Sequence, residues 1–140
     1  MTDEPELPES AVTVVREFFA ALELSAVPEA LELVHPEIVW KNTGLPDVRG
    51  IGRVAPILKG LGRKHLGFAA QIHYIAQNAN GLVVTERTDY LRGGPVRIAF
   101  PVSGNFELRE GRIVLWDDHF GWGDLLRGTK DGLLNAVRRR

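Results

Sequence analysis

Leu82-Val83-Val84-Thr85-Glu86-Arg87-Thr88-Asp89-Tyr90-Leu91-Arg92, closed by Gly93-Gly94, is the stretch that decides the fold of this chain. Its β-branched and aromatic residues, ended by a glycine pair, predict a long strand running into a hairpin. The same grammar extends on both sides. Phe68 to Asn80 precedes it across Asn80-Gly81, and Pro95 to Leu108 and Arg112 to Phe120 follow it with Glu110-Gly111 between them, which predicts an antiparallel meander. Two polar clusters interrupt these apolar runs, Glu86-Arg87-Thr88-Asp89 and Trp116-Asp117-Asp118. A charge inside a buried strand is tolerated only if it is paired or put to use.

Upstream the period changes to that of helices. Val12, Val15, Phe19 and Leu22 recur at helical spacing behind Ser10, a suitable N-cap, and predict a helix from Ser10 to Leu22. A shorter helix is expected from Pro28 to Val34, ended by Pro36. Ile38-Val39-Trp40 reads as a short strand leading into the turn Asn42-Thr43-Gly44-Leu45-Pro46. A third helix is expected from Ile51 to Leu61, kinked or kept short by Pro56. After Gly123 the leucine pairs Leu125-Leu126 and Leu133-Leu134, broken by glycines, predict one or two short helical turns. Helices followed by a meander make an α+β domain spanning residues 1–140, with 1–8 and about 129–140 as flexible or short helical tails.

Composition narrows the function classes. The 140 residues are 44% hydrophobic, enough for one sizeable core. With 17 Lys and Arg against 18 Asp and Glu, a net charge of -1 gives no reason to expect nucleic acid or anionic membrane as a partner. The basic Arg138-Arg139-Arg140 end reads as a solvated tail. The absence of cysteine removes disulfides and thiolate chemistry, and the acidic, proline-bearing start is unlike a secretory leader. A cytoplasmic protein is expected.

Strand alternation places Val83, Thr85, Arg87, Asp89 and Leu91 on one face, and Val114, Trp116, Asp118 and Phe120 on one face of the last strand. Asp117 and His119 fall on the opposite side. If both mixed faces line one concavity, Arg87, Asp89 and Asp118 converge. One guanidinium can balance only one of two carboxylates, so burial and like charge push the other toward its protonated form, leaving an acid and a base in one pocket. The same residues would also serve as an edge ion pair, with Asp118 accepting backbone hydrogen bonds at a bulge.

Arg87-Thr88-Asp89 in a long strand, Trp116-Asp117-Asp118 in the last strand and Trp40-Lys41-Asn42 at the end of the first resemble, in order and spacing, the limonene-1,2-epoxide hydrolase family. The resemblance runs from the first helix to about Arg127. It implies the cone-shaped superfold named after nuclear transport factor two, shared with ketosteroid isomerases and polyketide cyclases. That fold is a curved mixed, mostly antiparallel sheet with N-terminal helices over its concave face. It further implies a cofactor-free and metal-free hydrolase that adds water to a hydrophobic epoxide of terpene or sterol size, giving a vicinal diol in one step. Asp118 is then the general base, protonated Asp89 the general acid, and Arg87 the bridge between them. Asn42 and Trp40 hold the water with Asp118. A homodimer across the sheet is implied as well. The family normally carries tyrosine at the position of Trp40; an indole N–H donates a hydrogen bond but accepts none.

Two other functions fit such a chain: a proton-transferring isomerase or cyclase, and a ligand-binding or dimerisation module with a structural triad. Arg87 separates the first from a hydrolase, because a lone carboxylate base needs no bridging guanidinium. Pocket walls are expected from Phe18 or Phe19, Leu58, Ile72, Phe100 and Phe120. Gly50-Ile51-Gly52-Arg53-Val54-Ala55 imitates a dinucleotide fingerprint, but Leu45 to Arg49 before it does not read as a strand. His35, His65, His73 and His119 lack ligand spacing, and Ser103-Gly104 lacks a nucleophile elbow.

Overall fold

A computed structural model describes residues 10–63 and 66–138. The acidic start, His65 and the last two arginines lie outside the described residues. Helix α1 spans Ala11–Glu23, and Ser10 caps it by accepting a hydrogen bond from the Thr13 N–H at 3.1 Å. It buries Val15, Phe19 and Leu22 as the periodicity marks them and adds Val14 and Phe18, while Val12 is only half-buried.

Helix α2, Val27–Glu32, ends two residues before the expected Val34, and strand β1 then occupies Val34–Asn42. Pro36 is the cause, since it disfavours helix at His35 and holds the backbone extended. A strand tolerates the lost N–H there because the pairing with its neighbour is irregular between Val34 and Val39. A two-residue strand β2, Val48–Arg49, pairs antiparallel with Val39 and Trp40. It corrects the expectation that no strand precedes Gly50, although two antiparallel residues make no βαβ unit. Helix α3, Ile51–Leu61, carries the exposed Pro56 in its middle and buries Val54 and Leu58.

The meander forms as predicted, with β3 at Leu66–Gln77, β4 at Val83–Gly93, β5 at Val96–Arg109 and β6 at Arg112–His119. The six strands make one sheet in the order β2-β1-β6-β5-β4-β3. Only β1 and β6 run parallel, and every other neighbouring pair is antiparallel. The odd-numbered residues of β4 from Val83 to Asp89 are buried, whereas Glu86 and Tyr90 of the opposite face are exposed. Phe18, Phe19, Trp116 and Phe106 interlock between α1 and the sheet, with ring centroids 5.1–6.3 Å apart. Apolar burial on that one face holds the helices to the sheet.

The tail differs most from expectation. Instead of short turns, α4 is a single 17-residue helix, Trp122–Arg138. Strand β6 pairs with β5 only from Ser103 onward, so the first half of β5 has an edge without a strand partner. Helix α4 packs against β5 and covers it. Gly128 and Gly132 permit the close approach: a Cβ on Gly128 would lie 2.6 Å from the Ala99 carbonyl oxygen, and one on Gly132 would overlap the Arg97 carbonyl.

Candidate active site

Three strands bring one polar cluster together. On β4, period two places Thr85, Arg87 and Asp89 on the inner face, all buried. In register, Thr85 stands opposite Gly104 of β5, Gly104 opposite Asp118 of β6, and Asp118 opposite Asn42 of β1. One rung across four strands therefore carries Thr85, Gly104, Asp118 and Asn42, and the Arg87 side chain reaches over its middle. Arg87 Nε donates to Asp89 Oδ1 at 2.8 Å, and Nη2 donates to Asp89 Oδ2 at 3.0 Å and to Asp118 Oδ2 at 2.6 Å. Nη1 donates to Thr85 Oγ1 at 3.3 Å, and the Thr85 hydroxyl donates onward to the Gly104 carbonyl at 3.2 Å. The guanidinium carbon lies 4.6 Å from the centre of the Phe19 ring, which closes its other side.

Gly104 completes the cluster without contributing a side chain. A Cβ there would overlap Arg87 Nη1 and lie 2.8 Å from Asp118 Oδ1 and 2.9 Å from Thr85 Oγ1. The missing side chain is the space in which the cluster sits. The signal was present, because a glycine inside an apolar strand marks a bulge or a close approach. Thr85 shares the inner face with Arg87, as strand alternation predicts, and its hydroxyl anchors the guanidinium.

Burial dominates the electrostatics. It works against the charge of Arg87, but the hydrogen bonds and fields of Asp89 and Asp118 outweigh it and raise the guanidinium further above its ordinary range. Burial pushes the Asp118 carboxyl up most strongly; Arg87 pulls it back in part, and the neighbouring Asp89 adds to the rise. Asp118 Oδ1 has no hydrogen-bond partner among the described residues.

The cluster floors an otherwise apolar pocket of about 260 Å³, whose polar side chains are Asn42, Asp89 and Asp118. Trp40 and Trp116, directly opposite in register, stack at 4.2 Å with planes 8° apart and both line it. Their indole N–H groups are buried and make no hydrogen bond of normal geometry among the described residues, although that of Trp116 lies close enough to Asp118 to lower the proton affinity of its carboxyl slightly. Phe100 and Phe120 are wall residues as expected, whereas Phe18, Phe19, Leu58 and Ile72 do not line the pocket. Phe18, Phe19 and Leu58 are consumed by the helix–sheet core, and Phe19 supports Arg87 from behind. Beside the apolar residues of α1, α3 and the sheet, the wall includes Leu45 in the loop after β1, Ile57 on α3, and Trp122 and Leu125 on α4, positions that no motif marks. Trp122 Nε1 donates to the Thr43 carbonyl at 3.0 Å, and the Thr43 N–H donates to the Asp118 carbonyl at 3.2 Å, tying that loop to both α4 and β6.

His119 sits beside Asp117 at 3.1 Å, and His73 bonds Thr88 at 2.8 Å. Among the described residues no three His, Cys, Asp or Glu side chains gather closely enough to hold a metal ion, and no helix is long and apolar enough to cross a membrane.

Residues 9–131 match the family model described as the limonene-1,2-epoxide hydrolase catalytic domain. Epoxide hydrolase EphG of Mycobacterium tuberculosis is 40% identical over 101 residues, which are 72% of this chain and 66% of that protein; the chain thus spans just under two thirds of this curated relative. The solved structure of an LEH-like epoxide hydrolase of M. tuberculosis superposes with a TM-score of 0.87 at 35% identity, covering 94% of this chain and 97% of that one. A putative polyketide cyclase of Pseudomonas putida KT2440 shares the fold at 17% identity, with a TM-score of 0.73 over 86% of this chain and 98% of that one. Fold, motif order and family match agree: the chain belongs to the limonene-1,2-epoxide hydrolase family.

Proposed function

We propose that this protein is a cofactor-independent epoxide hydrolase that opens a hydrophobic epoxide to a vicinal diol in one step. The observation that carries the proposal is the buried guanidinium of Arg87 joining two carboxylates at the floor of an apolar pocket. An epoxide carbon attacked by water needs a proton removed from the nucleophile and another delivered to the departing oxygen. Each positioned transfer contributes on the order of 10² to 10⁴ in rate.

Asp118 is the base. It stands beside Asn42 in register, and its Oδ1 is unclaimed, so a water bridging Asp118 and Asn42 would lie at the pocket floor. The unpaired Trp40 N–H supplies a donor for the oxygen of that water, in place of the hydroxyl that the family's tyrosine would offer. As the water attacks one epoxide carbon, its proton passes to Asp118 and the C–O bond breaks. Asp89 gives its proton to the leaving oxygen, so the alkoxide never carries a full charge. Arg87 holds both carboxylates throughout, and the raised proton affinity of Asp118 makes it a stronger base than a solvated aspartate. Water returns both groups to their starting states. The pocket volume suits a substrate of terpene size.

Incubation with limonene oxide or cyclohexene oxide in ¹⁸O-labelled water should give diol carrying one label. Asp89→Asn and Asp118→Asn should each lower kcat by about 10² or more. Diol formation undiminished in both variants would remove the assigned acid and base. Isomerisation of an enone steroid without diol from any epoxide would assign the pocket to proton shuttling instead.

A further inference from the structure

The hydrogen bonds of Arg87 are unevenly divided between the two carboxylates. Nε and Nη2 hold both oxygens of Asp89 in a side-on fork, whereas Asp118 receives Nη2 alone, at Oδ2. Its other oxygen, Oδ1, is buried and has no hydrogen-bond partner among the described residues. An end-on fork, with Nη1 on Oδ1 beside Nη2 on Oδ2, is a pairing that a guanidinium and a carboxylate readily form. No side chain stands in its way at Gly104. Arg87 Nη1, Asp118 Oδ1 and Thr85 Oγ1 all crowd the point where that residue lacks a Cβ, so Thr85 and Asp118 are the two acceptors beside Nη1 there. Nη1 nevertheless donates to Thr85 at 3.3 Å and leaves Oδ1 unclaimed.

Thr85 is suited to that hold. Its one hydroxyl proton goes to the Gly104 carbonyl at 3.2 Å, so a lone pair is what faces Nη1. The branched Cβ restricts χ1, and the strand pairing of Thr85 with Gly104 fixes where the hydroxyl points. The charged groups that face Arg87 among the described residues are Asp89 and Asp118; α1 meets the guanidinium with Phe19, and β5 meets it with Phe106. We propose that Thr85 is a positioning residue that keeps the guanidinium off Asp118 Oδ1, so that this oxygen stays open to the water it deprotonates. The role rests on the hydrolase reading above. Thr85 does not line the pocket and acts only through Arg87. Without its hydroxyl, Nη1 is a buried donor that regains an acceptor by swinging to Oδ1. Asp118 is then held at both oxygens, which occupies the base, and a second charge-assisted hydrogen bond lowers its affinity for a proton.

The test measures Thr85→Val and Thr85→Ser against the wild type, with limonene oxide and cyclohexene oxide as substrates and circular dichroism to establish folding. Thr85→Val should lower kcat about tenfold while KM stays within about twofold, and the acid limb of its kcat/KM profile should lie at lower pH than that of the wild type. Thr85→Ser, which keeps the hydroxyl, should restore both. If Thr85→Val does not fold, Thr85→Cys keeps a similar volume with a weaker acceptor and takes its place. A residue that merely satisfies a buried donor would cost stability and leave rate and profile unchanged. That result overturns the inference, as does Thr85→Ser behaving like Thr85→Val. Carbon-13 NMR of the Asp118 carboxyl reads the same hold without turnover. In Thr85→Val this carboxyl should titrate at lower pH than in the wild type, and an unchanged titration overturns the inference. Absence of diol from either epoxide with the wild type, alongside the expected change in titration, would overturn the hydrolase reading while upholding the hold of Thr85 on Arg87.

Discussion

Trp40 and Gly104 show how much one position can decide. A tyrosine in place of Trp40 would bring a hydroxyl able to donate and accept; the indole brings a donor and a broader ring, stacked on Trp116. Trp40→Phe removes the N–H while keeping an aromatic wall, and should lower kcat by about tenfold, the worth of roughly one hydrogen bond. Trp40→Tyr should restore turnover to the wild-type level or above, measured as diol release at saturating epoxide. A kcat for Trp40→Phe equal to wild type would take Trp40 out of the water site. Arg87, Asp89 and Asp118 were legible because charged groups stand out against apolar strands, whereas Asn42 and Trp40 were marked only by the family resemblance. Gly104 was not, because its role is to be absent from a space that only the three-dimensional register reveals.

Elements were legible to the extent that their periodicity was unbroken. The four meander strands and α1 have long runs of one period and formed close to their predicted bounds. Strand β2 has two residues, too few to carry a pattern. Helix α4 was read as fragments because glycine disfavours an isolated helix by about 1 kcal/mol relative to alanine. Packing against β5 reverses that preference at two positions, where a side chain would strike a backbone carbonyl. Substitutions along this one helix should therefore have opposite signs. Gly132→Ala should cost about 1–3 kcal/mol, since backbone cannot swing aside, and should raise KM by loosening Trp122 and Leu125. Gly123→Ala, where an added Cβ meets nothing within 4 Å, should gain about 0.5–1 kcal/mol. Urea unfolding distinguishes the two; equal effects would mean that α4 does not dock on β5 as described.

At the scale of the whole molecule, the cluster at the pocket floor couples function to stability. Asp118 has its proton affinity raised in the folded state by burial, so the folded chain binds more protons than the unfolded one as pH rises above the ordinary carboxylate value of about 4. Its contribution to stability is therefore present in acid and lost as pH climbs through the raised folded-state pKa. The free-energy difference between wild type and Asp118→Asn should accordingly move against the wild type with rising pH across that window. Activity should run the other way, with kcat/KM increasing over the same range as Asp118 becomes able to accept a proton. Thermal melts and initial rates in one buffer series measure both. A flat difference in stability would mean that burial does not govern Asp118. The overall α+β plan was readable from the order of helices and strands, but the meeting of Asp89 with Asp118 depends on a register spanning β4, β5 and β6.

The wall supplied by α4 has a further consequence for how such a protein diversifies. The proposed acid, base and bridging guanidinium lie on β4 and β6, whose neighbours lock them in place, while Trp122 and Leu125 arrive on α4, which is attached chiefly along one edge of β5. Selectivity can thus drift independently of reactivity. Exchanging the final helix between homologues, with its two contact glycines kept, would graft a new substrate range onto an inherited reaction centre.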